Sequence, residues 1–493
     1  MGEEAREVLV MYDVRGIQKY IFNTAKVKDA IGASYIVENI IEDALKYATD
    51  VLKVENLNLL WKNDEGPIVY DGSVQYDVQV LYIGGGNAYV VFRNRELCID
   101  VNKVMAKYII EKTYSLHLAV AIVEKTDDYA QDYRCIMKKM DVTKANMIMS
   151  KPLGKLPVVK LDEQTTEIEH ILKLVAEKEK RNQIDSKVKI FDNYITEKGV
   201  DSTIAVVHMD GNNMGLRIRE QIKNVHDYNV AVNKMRQISF NISDSYKKVF
   251  KEMADLFNQD EKMNILPILV AGDDITYVCN GRKALDTVKY YVENISKCSM
   301  TGASDEESLK TYGFSVCAGV AYINSHFPFS VAYEVAEECC ASAKKEAKNK
   351  ENCVDGRVGN WVDYQIVKSI HAKKIEDLRD RELSNGNDEI LYRRPYYIPT
   401  DSHQISAGEK ALDRLLQYVA DFKSERVPKS FLKQIRNAYP LGNLQVEVLM
   451  DFLKSRGHNM PDGTYEMYEK TDSKQVAKWY DALEIMDYIG EEK

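Results

Sequence analysis

Three aspartates occupy positions where a metal ion could join them. Asp210 follows an apolar run at 204–209, and Asp273 and Asp274 lie in the turn of a tight hairpin, ILPILVAGDDITYVC. If the run and the hairpin share one sheet, the end of the first strand lies beside the turn. Carboxylates about 4 Å apart repel one another by on the order of several kcal/mol at an effective dielectric of about 20. The spacing therefore predicts a cation that offsets the repulsion.

The type of donor atom predicts the type of cation. Hard carboxylate oxygens that leave room for water and phosphate suit Mg²⁺ or Mn²⁺. Two such ions are the usual device for in-line displacement at phosphorus. The alternative is that AGDD is an ordinary hairpin turn without chemistry. Asp210, delivered by a second strand, favours the metal site.

The turn after Asp210 is small and polar. It contains Gly211, Asn212 and Asn213 and leads into a predicted helix. Backbone N–H groups at the start of a helix can hold a triphosphate, which makes this turn a candidate phosphate site. The alternative is a plain strand-to-helix loop with an asparagine cap.

Lysines gather at the end of a second predicted helix, in FPFSVAYEVAEECCASAKKEAKNK at 327–350. Lysines at this end of a helix also complement the helix dipole, which is the alternative interpretation. Lys344 is the one that we expect to reach phosphate.

The layout around the three aspartates occurs twice in the chain. An earlier apolar run ends in Asp13 and is followed by its own hairpin, VQVLYIGGGNAYVVF. Each hairpin is followed by a helical stretch and another apolar strand, so the order βααββαβ is predicted twice. Aligning the hairpins matches three positions of the first turn with three of the second: Gly85 with Gly272, Gly86 with Asp273 and Asn87 with Asp274.

Composition limits the protein class. The chain has 493 residues, is 45% hydrophobic and carries a formal net charge of −9, which excludes disorder and argues against a protein that coats nucleic acid by bulk positive charge. The composition does not exclude a local basic groove. No apolar stretch approaches the roughly 20 residues of a membrane span, and the acidic start differs from a signal peptide, so we expect a cytoplasmic protein. The eight cysteines form no C-x-x-C pair and are predicted to be reduced core residues.

The pattern predicts an α+β protein with two ferredoxin-like domains, a helical insert and a helical C-terminal domain. We place the first βααββαβ domain at 1–125 and a charged helical segment, with KPLGKLP as a loop, at 126–199. The second such domain is placed at 200–370 and the helical domain at 371–493.

Five segments together resemble a known family. They are DVRGIQKYIFNTAKVKDAIGASYIV at 13–37, YIGGGNAYVVF, HMDGNNMG, VAGDDITYV and GVAYINSHFPFSVAYEVAEECCASAKKEAK. These segments are similar to the large polymerase-cyclase subunit of type III CRISPR effector complexes, which is related to GGDEF diguanylate cyclases and adenylyl cyclases. The resemblance covers both copies of the repeat.

The resemblance implies two facing palm domains, of which the second polymerises ATP with two metal ions. It makes Asp210, Asp273 and Asp274 the catalytic metal ligands. The first palm is then degenerate and binds the partner nucleotide. Nucleotide contacts are implied, on the positions that match, for the following residues: Ser34, Gly84, Gly85, Gly86, Gly211, Asn212, Asn213, Gly272 and Lys344.

The sequence departs from the family pattern in several places. Ala271 stands first in the GGDD motif, and an amide, Asn212, stands where an outer carboxylate is common. The chain begins directly with the first palm, without the HD nuclease domain common in the family. The zinc insert is not recognisable at 126–199, so DNA cleavage is not predicted.

The resulting expectation is an enzyme that makes cyclic oligonucleotide messengers, with cyclic oligoadenylate from ATP as the implied product, in CRISPR-type antiviral defence. Partners would be nucleoside triphosphates, guide and target RNA and other effector subunits, with no membrane and with the oligomeric state left open. One alternative is a catalytically silent palm-pair scaffold that binds RNA or other subunits. Another is a stand-alone cyclic dinucleotide synthase.

Overall fold

A computed structural model describes most of the chain. The described residues are 6–22, 27–72, 74–148, 202–258, 264–368, 374–384, 389–424, 427–458, 460, 464–471 and 474–490. The predicted loop KPLGKLP and most of the predicted helical segment before residue 200 lie outside them.

The first palm has the predicted order of elements, with three very short strands added. Its strands are β1 (Val8–Arg15), β2 (Leu57–Asn58), β3 (Lys62–Asn63), β4 (Gly66–Pro67), β5 (Val78–Gly84), β6 (Asn87–Phe92) and β7 (His117–Glu124). Its helices are α1 (Ile17–Phe22), α2 (Val27–Val51), α3 (Arg95–Thr113) and α4 (Tyr129–Asn146).

The second palm repeats this order. Its strands are β8 (Thr203–Gly211), β9 (Ile265–Ala271), β10 (Asp274–Asn280), β11 (Val316–Asn324), β12 (Cys353–Val354), β13 (Arg357–Val358) and β14 (Asn360–Ile366). Its helices are α5 (Met214–Ile222), α6 (Tyr228–Phe257), α7 (Ala284–Ile295), α8 (Glu306–Tyr312) and α9 (Phe329–Ala347).

The C-terminal part is mainly helical. Its helices are α10 (Ile375–Glu382), α11 (Leu412–Lys423), α12 (Lys429–Ala438), α13 (Asn443–Ser455) and α14 (Tyr480–Ile485). Its short strands are β15 (Glu389–Ile390), β16 (Tyr396–Ile398), β17 (Tyr468–Thr471) and β18 (Lys474–Ala477).

The two large sheets have matching strand orders. The first sheet runs β2-β5-β6-β1-β7, and the second runs β16-β14-β11-β8-β10-β9. In each sheet the opening strand of the repeat pairs with the second hairpin strand and with the strand that closes the repeat. The prediction of two βααββαβ units in an α+β fold is therefore confirmed.

The sheets and helices extend past the predicted domain limits. Helix α4 begins after residue 125 but packs against β7 and β1 of the first palm. Strand β16 lies beyond residue 370 yet pairs with β14 of the second sheet, because Tyr396 stands opposite Val362. Both elements belong to the palms by packing.

The palms interlock through helices that cross between them. Helix α2 of the first palm packs on β9 of the second, and α6 of the second packs on β5 of the first. The guanidinium of Arg236, on α6, donates to the carbonyl oxygens of Ile68, Val80 and Leu81 at 2.6–2.8 Å. Burial lowers the pKa of Arg236 to about 10. Three charge-assisted hydrogen bonds hold this buried cation against the first palm.

Two further expectations concern the core and the membrane. All eight cysteines are free thiols, and five of them are buried as predicted, whereas Cys298 and Cys353 are partly buried and Cys135 is exposed. Among the described residues, no helix combines the length and apolar character of a membrane span.

Candidate active site

The hairpin between β9 and β10 presents two carboxylates at its tip. Gly272 has φ of +63° and Asp273 follows it with negative φ, the combination that a type II′ hairpin turn requires. In the first palm, Gly85 and Gly86 both have positive φ, which is typical of a type I′ turn. The second turn can therefore carry an aspartate where the first carries glycine.

Strand pairing brings the third carboxylate to the same turn. Asp210, at the end of β8, stands directly opposite Asp274, and Asp13 stands opposite Asn87 in the same way in the first palm. Gly211 donates its N–H to the carbonyl oxygen of Asp273 at 3.2 Å. A Cβ at residue 211 would lie 2.8 Å from the Cβ of Asp273, so only glycine leaves room for that carboxylate.

Helix α9 brings a cation to Asp210. Lys344 forms an ion pair with the Asp210 carboxylate, and its Nζ lies 3.5 Å from the carbonyl oxygen of Gly211. Burial alone would lower the pKa of Lys344, but the charge of Asp210 outweighs burial and raises it. The helix can approach because Gly319 lies beneath it. A Cβ there would lie 1.9 Å from the carbonyl oxygen of Ala336.

The other two carboxylates are not fully neutralised by Lys344. Burial, followed by the charge of Asp210, raises the pKa of Asp273 to about 6 and that of Asp274 to about 7. Raised carboxyl pKa values show that the site disfavours further negative charge. The repulsion expected from the sequence is thus present.

The described residues fit a divalent cation without forming a preassembled ligand set. No group of three His, Cys, Asp or Glu side chains among them is arranged to hold a metal ion. Asp210 is instead bonded to Lys344. However, Asp274 Oδ1 is buried with no hydrogen-bond partner among the described residues. An orphaned carboxylate oxygen beside two further carboxylates is a donor set of the kind that Mg²⁺ and Mn²⁺ bind.

The first palm contributes to the site through Gln18 on α1. Its amide Nε2 donates to Asp274 Oδ2 at 2.8 Å, and its Oε1 accepts from the hydroxyl of Tyr333 on α9. This hydrogen bond lowers the pKa of Asp274, although burial and Asp210 raise it more. The sequence analysis did not single out Gln18, because nothing local links it to a turn about 250 residues away.

A buried imidazole lies behind Asp274. His208 Nδ1 is 3.0 Å from the Thr276 hydroxyl and 3.6 Å from Asp274 Oδ1. Burial lowers the pKa of His208 to about 4, so the ring is neutral at physiological pH. It therefore adds no positive charge to the site.

In the polar turn after Asp210, Asn212 is buried and Asn213 is partly exposed. Asn212 is 2% exposed, and its amide donates to the carbonyl oxygen of Gly359 at 3.0 Å. This position makes Asn212 a structural support of the turn. Asn213 has φ of +54° at the start of α5 and makes no side-chain cap. The backbone at Asn213 is thus the part of the turn that a phosphate could approach.

Two of the predicted nucleotide contacts of the first palm, Ser34 and Gly84, lie against the second palm. The Ser34 hydroxyl lies 2.7 Å from the carbonyl oxygen of Ile268 on β9, to which it donates. A Cβ at Gly84 would lie 2.9 Å from the Ser239 hydroxyl on α6, and one at Gly86 would lie 2.7 Å from Ile17. Gly85 has open space around it.

Comparisons with known proteins agree with this geometry. Residues 203–354 match the family model of the Cas10/Cmr2 second palm domain. A search of curated protein sequences found no match. The chain is similar to the crystal structure of Csm1 in T. onnurineus, with a TM-score of 0.55, 12% identity, and coverage of 98% of this chain and 69% of that one.

Two ligand-bound structures share the fold. The Csm1-Csm4 cassette in complex with one ATP gives a TM-score of 0.52 at 13% identity, over 98% of this chain and 70% of that one. The cassette in complex with pppApA gives 0.51 at 12% identity, over 99% and 70%. The second palm thus matches the Cas10/Cmr2 second palm domain, and the chain shares the fold of Csm1. The resemblance drawn from the sequence is confirmed.

The raised pKa values predict that metal binding releases protons. Asp273 and Asp274 are largely protonated at pH 5.5 and ionised at pH 8, given pKa values of about 6 and 7. A divalent ion binds the ionised carboxylates, so the apparent Mn²⁺ affinity should rise about tenfold or more between these pH values. Calorimetric titration at each pH measures it. In the Asp273→Asn, Asp274→Asn variant the rise should vanish, and a rise that persists there would contradict the assignment.

The same shifts predict the sign of the effect on folding. Because the folded, metal-free protein holds protons that the unfolded chain has already released, these two groups should lower the free energy of unfolding as pH rises from about 4 to about 7. The Asn variant, measured by chemical denaturation over the same range, should lack this contribution.

Removal of the Gln18 hydrogen bond should weaken metal binding. In Gln18→Ala, Asp274 loses a donor to its charged form, so the apparent Mn²⁺ affinity at pH 7 should fall by about 3- to 10-fold. Lys19→Ala, the exposed next residue on α1, is the matched control. Equal affinities for the two variants would show that Gln18 does not position Asp274.

Proposed function

We propose that the chain is a metal-dependent nucleotidyltransferase that converts ATP to cyclic oligoadenylate and pyrophosphate. The observation that carries the proposal is the strand pairing of Asp210 with Asp274 beside Asp273, where two carboxyl pKa values are raised and one buried oxygen has no partner among the described residues. Such a cluster costs folding energy, so it favours a site that gains a cation when it works.

The three carboxylates would hold two Mg²⁺ or Mn²⁺ ions. When bound, these ions lower the pKa of the attacking 3′-hydroxyl and neutralise charge on the leaving pyrophosphate. The oxygen of that hydroxyl forms a bond to the α-phosphorus, the bond to the β-phosphate oxygen breaks, and the proton passes to solvent. Repetition followed by attack of the last 3′-hydroxyl on the first triphosphate closes the ring.

The other residues of this chain would bind and orient the nucleotide. Lys344, which already lies beside Asp210, can contact the triphosphate once a divalent ion replaces it at that carboxylate. The backbone at Asn213 can donate to phosphate at the start of α5. Gln18 and Tyr333 would fix Asp274 from the facing palm. We propose that Ser34 and the turn Gly84–Gly86 border the second nucleotide.

The assignment of ATP rests on the fold comparison. Structures with the same fold contain ATP and pppApA, which supports adenine as the base and an oligoadenylate as the product. The same structures are Csm1-Csm4 cassettes, and a further one is a subcomplex of the type III-A CRISPR-Csm interference complex, which supports assembly of this chain with other effector subunits.

One observation favours the alternative of a silent scaffold. The described residues hold Asp210 in an ion pair with Lys344 and present no preassembled metal ligand set. A scaffold would keep this ion pair permanently. An enzyme would exchange it for metal and substrate.

Product analysis tests the proposal. The purified chain is incubated with each α-labelled nucleoside triphosphate and Mg²⁺ or Mn²⁺, with and without guide and target RNA, and products are identified by chromatography and mass spectrometry. We expect cyclic oligoadenylate, and a loss of about 100-fold or more in Asp273→Asn, Asp274→Asn.

Glu306→Gln, Glu307→Gln is the matched control, because it removes two carboxylates that are consecutive in sequence and exposed on the same palm. Synthesis that survives in the aspartate variant would refute the site. If folded protein binds ATP but forms no product with any of the RNAs added, the result would favour the alternative of a silent scaffold.

A further inference from the structure

The first palm contains an ion pair that matches the pair of Asp210 with Lys344. Lys144 Nζ, on α4, lies 2.6 Å from Asp13 Oδ2 on β1. Lys144 and Lys344 occupy the same position when counted from the first residues of α4 and α9, and each helix follows the closing strand of its palm. The two palms therefore place an ammonium at the same corner of the fold.

A second observation marks the same corner. Asn87 Oδ1 is buried and has no hydrogen-bond partner among the described residues, and the same holds for Asp274 Oδ1. These two residues are equivalent, because Asn87 stands opposite Asp13 as Asp274 stands opposite Asp210. The Asn87 amide nitrogen is already used, since it donates to the carbonyl oxygen of Gly85 at 3.2 Å. The two palms thus share an unsatisfied acceptor oxygen at the same register position, which supports the equivalence of the two corners.

The charges of the two corners differ. In the second palm, one ammonium pairs with Asp210, and two further carboxylates, Asp273 and Asp274, lie in the adjoining turn without an ion pair to Lys344. In the first palm, Asp13 and Lys144 cancel, and Asn87 is neutral. A single carboxylate paired with a lysine cannot hold two divalent ions, whereas a lysine can bind phosphate directly as a point charge.

We propose that Lys144 binds the triphosphate of the nucleotide held by the first palm, and that its ion pair with Asp13 is the resting state. This inference rests on the proposed function, which supplies the ligand, a nucleoside triphosphate. Lys144 is the counterpart of Lys344, and its ammonium passes from one carboxylate oxygen to a phosphate oxygen when the nucleotide arrives. Because the ammonium supplies the positive charge, this contact does not require a divalent ion.

The partial exposure of Lys144 allows such an exchange. The side chain of Lys144 is 27% exposed and that of Asp13 is 11% exposed. The partly solvated Lys144 can change partners, but the largely buried Asp13 then loses its counter-charge, which opposes the exchange. Asp13 competes with phosphate for Lys144, so removal of its charge should strengthen nucleotide binding.

Calorimetric titration with ATP in EDTA tests the proposal on the full chain. The background carries Asp273→Asn, Asp274→Asn and Lys344→Met, which removes two of the three metal-binding carboxylates and the phosphate-binding lysine proposed for the second palm. Lys144→Met should weaken ATP binding by about tenfold, the usual worth of a charge-assisted hydrogen bond. Asp13→Asn should tighten it by a few fold. Lys139→Met, on the same helix with its Nζ on the carbonyl oxygen of Ile122, is the matched control and should have no effect.

The outcomes separate this inference from the proposed function. Equal ATP affinity in the Lys144→Met and Lys139→Met backgrounds would overturn the role of Lys144, and so would weaker binding in Asp13→Asn. In the otherwise wild-type chain, Lys144→Met should raise the KM for ATP and leave kcat nearly unchanged. If ATP binding depends on Lys144 while the wild-type chain makes no cyclic product, the inference stands and the proposed function fails.

Discussion

The mutual repulsion of three carboxylates at the end of β8 and the tip of the β9–β10 hairpin governs the rest of the structure. It exists because strand pairing fixes Asp210 opposite Asp274, and because Gly211 leaves room for Asp273. Lys344 offsets part of it, and the helix that carries this lysine, α9, packs closely over Gly319 at Ala336. Burial, and after it the charge of Asp210, still raises the pKa values of Asp273 and Asp274. The site is built to accept further positive charge.

The second palm does not hold this site alone. Arg236 fixes α6 to the backbone of the first palm, and Gln18 reaches from the first palm to Asp274. The hydroxyl of Ser34, on α2 of the first palm, donates across the same interface to the carbonyl oxygen of Ile268 on β9. A buried arginine that donates to three carbonyl groups would be costly to separate, so the two palms form one structural unit. One copy of the repeat thus carries the carboxylates that we propose as metal ligands, and the other copy supplies supporting contacts.

Much of this arrangement could be predicted from the sequence, because it is encoded locally. Apolar runs, glycine-rich hairpins and the aspartate at each strand end predict both βααββαβ units and the register that joins Asp210 to the hairpin. Contacts between distant elements could not be predicted, since no local pattern marks Gln18, Lys144 or Arg236. Asn212 was expected to face the nucleotide, yet its amide is buried against Gly359. Composition places the domain limits before α4 and β16. Packing and strand pairing instead assign both elements to the palms.

A count of bound Mn²⁺ ions tests most directly the claim that the carboxylate cluster is a two-metal site. Electron paramagnetic resonance on the full chain with AMPPNP would report the number of ions bound per chain at pH 8. The account predicts two ions in the wild-type protein and, in Asp273→Asn, Asp274→Asn, none beyond the ion that the nucleotide itself carries. The same number of ions in both proteins would contradict it, because the metal would then be held by residues other than the cluster.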